Sequence, residues 1–134
     1  MSKKKIAILG STGSIGKTLL KIIEKDKKNF DIVLLTANKD HKTLFKQAKK
    51  FNVKNLIITN ENNFKILKQN TKNININIFK SFDNLKKILN KKIDYTMSSI
   101  IGIEGLIPTY EIIKYTKSIA IANKETIVCG WSII

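Results

Sequence analysis

Six short apolar runs, the first five each followed by a segment with helical periodicity, constrain this chain more than any other feature. Lys5 to Leu9 is a short apolar run ended by glycine, and Ile32 to Thr36, Leu56 to Ile58, Ile76 to Phe79, Tyr95 to Ser98 and Ser118 to Ala122 repeat the theme. Each is too short for a helix of ordinary length and reads as a strand buried on both faces. Between them lie stretches with apolar residues three and four apart. Ile15, Leu19, Ile22 and Ile23 are expected on one face of a first helix, and Leu44, Phe45, Ala48 and Phe51 on a second. Phe64 and Leu67 mark a third helix, and Leu85, Ile88 and Leu89 a fourth. Leu106 to Tyr115 forms another, with Pro108 in its first turn, where a missing N–H costs nothing. The alternation Asn73 to Ile78 is expected to be a strand with one apolar face. Strand and helix in strict alternation predict an α/β fold with a doubly wound, mostly parallel Rossmann-type sheet. A chain of 134 residues holds one such domain.

The first strand-to-helix turn carries the chemistry. Gly10-Ser11-Thr12-Gly13-Ser14-Ile15-Gly16 follows the first strand and opens the first helix, with its glycines three residues apart. Gly10 permits a tight turn, Gly13 lets backbone N–H groups approach a diphosphate, and Gly16 lets the helix pack closely. The helix N-terminus adds partial positive charge, and Thr12 and Ser14 add hydroxyl donors. A Walker A loop is excluded, because Gly16-Lys17-Thr18 lacks the glycine five residues earlier. The alternative is a glycine-rich turn with ordinary Ser/Thr caps.

The second strand ends Thr36-Ala37-Asn38-Lys39-Asp40. Sites that prefer NAD place an acid here for the ribose 2′-hydroxyl, whereas a lysine suits a 2′-phosphate. Lys39 therefore favours NADP, with Asp40 pulling the other way and a solvated loop lysine as the alternative. The sixth strand runs into Asn123-Lys124-Glu125-Thr126 at the carboxyl end of the sheet, where ligands of open parallel sheets bind. Lys124 can neutralise a substrate anion, and Glu125 can accept hydrogen bonds from ribose or nicotinamide. A plain capping turn with Asn123 as N-cap is the other reading.

The formal charge of +15 comes entirely from 25 lysines, with no arginine. Guanine readout leans on the arginine fork, and the ten aromatic residues do not interleave with the lysines as a stacking platform would. The excess travels with heavy use of Asn and Ile, so it reads as compositional bias that favours anionic ligands, with no nucleic-acid partner expected. The single cysteine, Cys129, excludes a disulfide framework and reads as a buried structural thiol. No apolar run is long enough for a membrane span, and none near the start resembles a signal-peptide core; the expected setting is the cytoplasm.

Three ordered motifs, GSTGSIG at Gly10 to Gly16, MSSIIGIEGLIPT at Met97 to Thr109 and IANKETIVCG at Ile121 to Gly130, resemble the 1-deoxy-D-xylulose 5-phosphate reductoisomerase family. The likeness runs through the whole chain in register. It implies an enzyme that uses NADPH and a divalent metal, Mg or Mn, to turn 1-deoxy-D-xylulose 5-phosphate into 2-C-methyl-D-erythritol 4-phosphate in non-mevalonate isoprenoid biosynthesis. By the same resemblance, Thr12, Gly13, Ser14 and Ile15 hold the NADPH diphosphate, and Asn38, Lys39 and Asp40 surround its 2′-phosphate. Asn123 and Glu125 fall at nicotinamide-side contacts and Lys124 at a substrate contact. The chain departs from the family's usual Gly-Lys-Asn at Asn38 and Asp40, and Ile103-Glu104 is bulkier and more acidic than the small residues often found there.

Members of that family are much longer. Residues 1–134 are therefore expected to be the NADPH-binding domain, with a metal- and substrate-binding catalytic domain downstream and a homodimer as the full-length state. No catalytic residue and no metal ligand is expected within this stretch. Two other readings stay open: another NADP-dependent reductase, such as a semialdehyde dehydrogenase, and a basic Rossmann-like module for nucleotides or nucleic acid.

Overall fold

The apolar runs form strands β1 (Lys4–Leu9), β2 (Phe30–Ala37), β3 (Asn55–Ile58), β4 (Asn77–Phe79), β5 (Ile93–Ser98) and β6 (Thr116–Ile121). The intervening helices are α1 (Ser14–Glu24), α2 (His41–Phe51), α3 (Glu61–Asn70), α4 (Leu85–Ile88), α5 (Leu106–Ile113) and α6 (Lys124–Gly130). This computed structural model describes residues 2–130, apart from the side chains of Glu125 and Cys129. The strands join one sheet in the order β4-β3-β2-β1-β5-β6, and every neighbouring pair is parallel. The chain steps outward from β1 to β4, then returns to lay β5 on the other side of β1. That reversal opens a crevice at the carboxyl ends of β1 and β5, which fixes where a ligand can enter.

Alternation along the strands divides the core in two. Ile6 and Ile8 of β1 pack with Leu20 and Ile23 of α1, Leu44 and Ala48 of α2 and Leu67 of α3 on one face. Ala7 and Leu9 point the other way, onto Leu85 and Leu89 at α4 and Ile112 of α5. Helices thus cover both faces, which is the doubly wound arrangement that the βα alternation predicts. Among the described residues no helix is long and apolar enough to cross a membrane.

Three local expectations are corrected. The buried stripe of α1 is Gly16, Leu20 and Ile23, with Leu19 half-buried beside it. Ile15 and Ile22 are 43% and 61% exposed. The cause is Gly16, whose backbone lies so close to the preceding loop that a Cβ would stand 2.6 Å from the Ser11 Cα. That contact turns the glycine edge of α1 inward and rotates Ile15 and Ile22 to its flanks.

The Asn73–Ile78 alternation is strand only from Asn77. The Ile74 amide donates to the Thr71 carbonyl and the Ile76 amide to the Ile74 carbonyl, so the chain turns there and leaves Ile74 exposed. Alternating Asn and Ile carry a strand period, but β4 pairs with β3 alone, over three residues. The helix expected around Leu85 is also short, a single 3-10 turn at Phe82–Asn84 running into α4.

Candidate cofactor-binding site

β1 ends at Leu9, and Gly10 turns the chain with φ of +76°, a conformation that side-chain-bearing residues rarely adopt. A Cβ at Gly10 would also meet the Ser99 carbonyl and the Ile100 amide nitrogen at 3.1 Å. The turn is held by β2: the Gly10 amide donates to the Thr36 hydroxyl at 2.9 Å and the Ser11 amide to the Thr36 carbonyl at 2.9 Å. From the residue after β5, the Ser99 hydroxyl and amide both donate to the Leu9 carbonyl, at 2.8 and 2.9 Å. From α2, Gln47 exchanges two hydrogen bonds with Ser11. The loop is thus fixed before any ligand arrives.

Gly13 is a different case. It is the N-cap of α1 with φ of −80° and ψ of 176°, ordinary extended backbone, and a Cβ there would have only the Gly10 carbonyl oxygen near it, at 3.6 Å. Nothing in the folded chain requires a glycine at this position. Because the cap has no side chain, the outward N–H groups of the first turn of α1 are left without a side-chain partner. Space kept clear in front of helix amides is what an anion such as a diphosphate needs, so the residues present fit that group.

A cleft of about 340 Å³ opens in front of this loop. Gly10, Thr12 and Gly13 form one wall, Ala37, Asn38 and Thr59 the β2–β3 side, and Ile100, Ile101 and Pro108 an apolar side. Of the residues expected to contact cofactor or substrate, Thr12, Gly13 and Asn38 line it; Glu104 lines it as well. Ser14 and Ile15 are exposed at the start of α1, and Lys39 and Asp40 are exposed on the turn into α2. The Asn38 amide donates to the Thr59 hydroxyl at 2.7 Å, tying the ends of β2 and β3 together.

Asp40 has a structural task. Its carboxylate caps α2 by accepting from the Thr43 amide at 3.1 Å. Slight desolvation by neighbouring residues opposes its ionisation. The hydrogen bonds from the Thr43 hydroxyl and amide, with the charges of Lys17 and His41, outweigh that and hold the carboxyl below its ordinary range. Lys17, near the end of the first turn of α1, therefore brings a positive charge toward the turn that carries Lys39.

Asn123 is buried and fully engaged: its amide donates to the carbonyls of Ile100 and Gly102, and its side-chain oxygen accepts from the Thr126 amide at 3.2 Å. It caps α6 and braces the loop that forms the apolar side of the cleft. Gly105 completes that brace, since a Cβ there would lie 2.8 Å from the Asn123 amide nitrogen. Lys124 is exposed at the start of α6, and the side chains of Glu125 and Cys129 lie outside the described residues.

Sequence reasoning passed over Thr36, Gln47 and Ser99. Thr36 and Gln47 carried a signal, a polar residue within an apolar strand and a glutamine on the face of α2 that also holds Leu44 and Ala48. Among the described residues no group of three or more His, Cys, Asp or Glu side chains is placed to hold a metal ion. These residues therefore do not fit a divalent metal site.

Comparison with known proteins resolves the family. The family model for 1-deoxy-D-xylulose 5-phosphate reductoisomerase matches residues 6–130. The chain belongs to that family. It is 59% identical over 133 residues to the 1-deoxy-D-xylulose 5-phosphate reductoisomerase of Pelagibacter ubique, covering 98% of this chain and 34% of that protein. The reductoisomerase of Phocaeicola vulgatus is 40% identical over 133 residues, covering 98% and 35%. Among solved structures, the reductoisomerase of Zymomonas mobilis in complex with NADPH superposes with a TM-score of 0.88 at 32% identity, over 98% of this chain and 35% of that one. A reductoisomerase complex with NADPH, fosmidomycin and magnesium superposes with a TM-score of 0.83 at 29% identity, over 93% and 31%. The chain thus spans about a third of the length of the reductoisomerases it matches.

Proposed function

We propose that this chain is the NADPH-binding part of a 1-deoxy-D-xylulose 5-phosphate reductoisomerase. The parent enzyme would isomerise and reduce 1-deoxy-D-xylulose 5-phosphate to 2-C-methyl-D-erythritol 4-phosphate, for non-mevalonate isoprenoid biosynthesis in the cytoplasm. The observation that carries the reading is Gly13, a glycine with no conformational or packing reason to be one, at the mouth of an uncapped helix. When bound, NADPH supplies the hydride for the reduction.

The chain's own residues bind and orient. Thr12 and the first-turn amides of α1, at Ser14 and Ile15, receive the diphosphate, with Gly13 leaving room for it. Asn38 and Lys39 take the adenosine end, Lys39 supplying the positive charge that a 2′-phosphate needs; Asp40, held as the α2 cap, weakens that grip. Ile100, Ile101 and Pro108 offer apolar surface for the rings and shield it from water. Asn123 acts on this surface by bracing the Ile100–Gly102 backbone; by the family likeness, Lys124 would contact substrate and Asn123 and Glu125 would serve the nicotinamide side.

Substrate and the divalent metal, Mg or Mn, would be held by parts of the longer enzyme, which we take to act as a homodimer. This stretch therefore binds cofactor without turning substrate over.

Fluorescence titration tests the reading. The purified chain is expected to bind NADPH more tightly than NADH. Lys39→Glu is expected to weaken NADPH at least about tenfold, roughly 1.4 kcal/mol, while changing NADH little. Equal losses for both cofactors would remove the 2′-phosphate role of Lys39. No NADPH signal, together with DNA binding that falls steeply with salt, would replace the reading with a nucleic-acid one.

A further inference from the structure

Gln47 is 8% exposed in the second turn of α2, on the face that takes Leu44 and Ala48 into the core. Its side-chain oxygen accepts from the Ser11 hydroxyl at 2.8 Å, and its nitrogen donates to the Ser11 carbonyl at 2.9 Å. The Ser11 amide and hydroxyl also reach the Thr36 carbonyl, at 2.9 and 3.3 Å. Residue 11 is therefore clamped between β2 and α2, one residue before Thr12.

The same helix starts immediately after Asn38-Lys39-Asp40. One rigid element thus holds the glycine loop at its middle and presents the lysine turn at its N-terminus. A side-chain amide meets Ser11 with an uncharged donor and an uncharged acceptor on separate atoms; Glu lacks the donor when ionised and Leu lacks both.

We propose that Gln47 is a positioning residue that fixes the spacing between the diphosphate loop and the 2′-phosphate turn. A ligand carrying both anionic groups then engages both segments without reordering either. The inference rests on the NADPH reading and adds to it a residue that touches no cofactor.

The test compares wild type, Gln47→Leu and Gln47→Glu with two probes, NADPH, which spans both segments, and adenosine 2′-monophosphate, which reaches only the lysine turn. Amide hydrogen exchange of residues 10–16 is followed without ligand. Both variants are expected to weaken NADPH about tenfold and adenosine 2′-monophosphate less than about twofold. Loop amides are expected to exchange faster while those of β1, β2 and β5 hold their wild-type rates. If Gln47→Leu fails to fold, Gln47→Glu, which keeps the acceptor, carries the comparison. Equal losses for the two probes, or unchanged loop exchange, would overturn the positioning role alone. A wild-type chain that binds adenosine 2′-monophosphate but not NADPH would overturn the cofactor reading itself.

Discussion

Three glycines of one loop show how a single residue type can serve different ends. Gly10 is required by its left-handed backbone, Gly16 by the Ser11 backbone pressed against it, and Gly13 by neither. Gly16→Ala is expected to destabilise the fold by about 1–3 kcal/mol, because backbone must move to admit the methyl group. Gly13→Ala is expected to keep stability within about 1 kcal/mol of wild type, since the position accepts an L side chain without strain. Its NADPH affinity should nonetheless fall at least tenfold, ~1.4 kcal/mol. Thermal denaturation alongside NADPH titration of the two variants separates these effects; a Gly13→Ala chain that binds NADPH normally would refute the cradle. Asp40 is a residue with two opposed effects. Asp40→Asn keeps a capping oxygen and removes a negative charge beside Lys39, so NADPH should bind more tightly with little change in stability. Asp40→Ala should lose about 1 kcal/mol of α2 capping.

Helix α2 joins the lysine turn to the loop brace, so its integrity bears on both. The pH dependence of its cap follows from the sign of the Asp40 shift. The folded-state carboxyl titrates below its unfolded value of about 3.9, so the contribution is complete above that value and is lost as pH falls through the folded one. Acid unfolding followed by circular dichroism should therefore show Asp40→Asn losing less stability than wild type between about pH 5 and pH 2. Matching acid profiles would mean that the carboxylate contributes nothing to the cap. Helix α1 teaches a different lesson about legibility. Its existence was readable from periodicity, but its inward face was not, because Ile15 and Ile22 look more apolar than Gly16. The face was chosen by how closely backbone meets backbone, which a hydrophobicity pattern does not record.

Across the whole molecule, 25 lysines face 10 acidic residues, a formal net charge of +15. Among the described residues the ion pairs are Lys50 with Glu24 and Lys117 with Asp94, both largely at the surface. Self-repulsion therefore opposes compaction, and screening should relieve it. The melting temperature at pH 7 is expected to rise by several degrees between about 20 mM and 300 mM sodium chloride. A melting temperature that falls or stays level with salt would show that the lysines are already compensated in the fold. NADPH should raise it further at constant ionic strength, by mass action on the folded state.

The alternation of elements, the parallel sheet and the place of the glycine loop were legible before any folding, because strand and helix periods and the φ freedom of glycine are local properties. Lys39 and Asp40 were legible for the same reason, as charges on a turn whose place in the fold is fixed. That Thr36, Gln47 and Ser99 hold the loop emerges from the folded chain alone, since their partners lie 25 or more residues away in sequence. The fold also decided that Asn123 braces a neighbouring loop and that Asp40 is a cap with a charge to spare beside the lysine. Hydrogen bonds that satisfy buried polar groups are chosen by what the fold brings near, and that choice is made only once the sheet has closed.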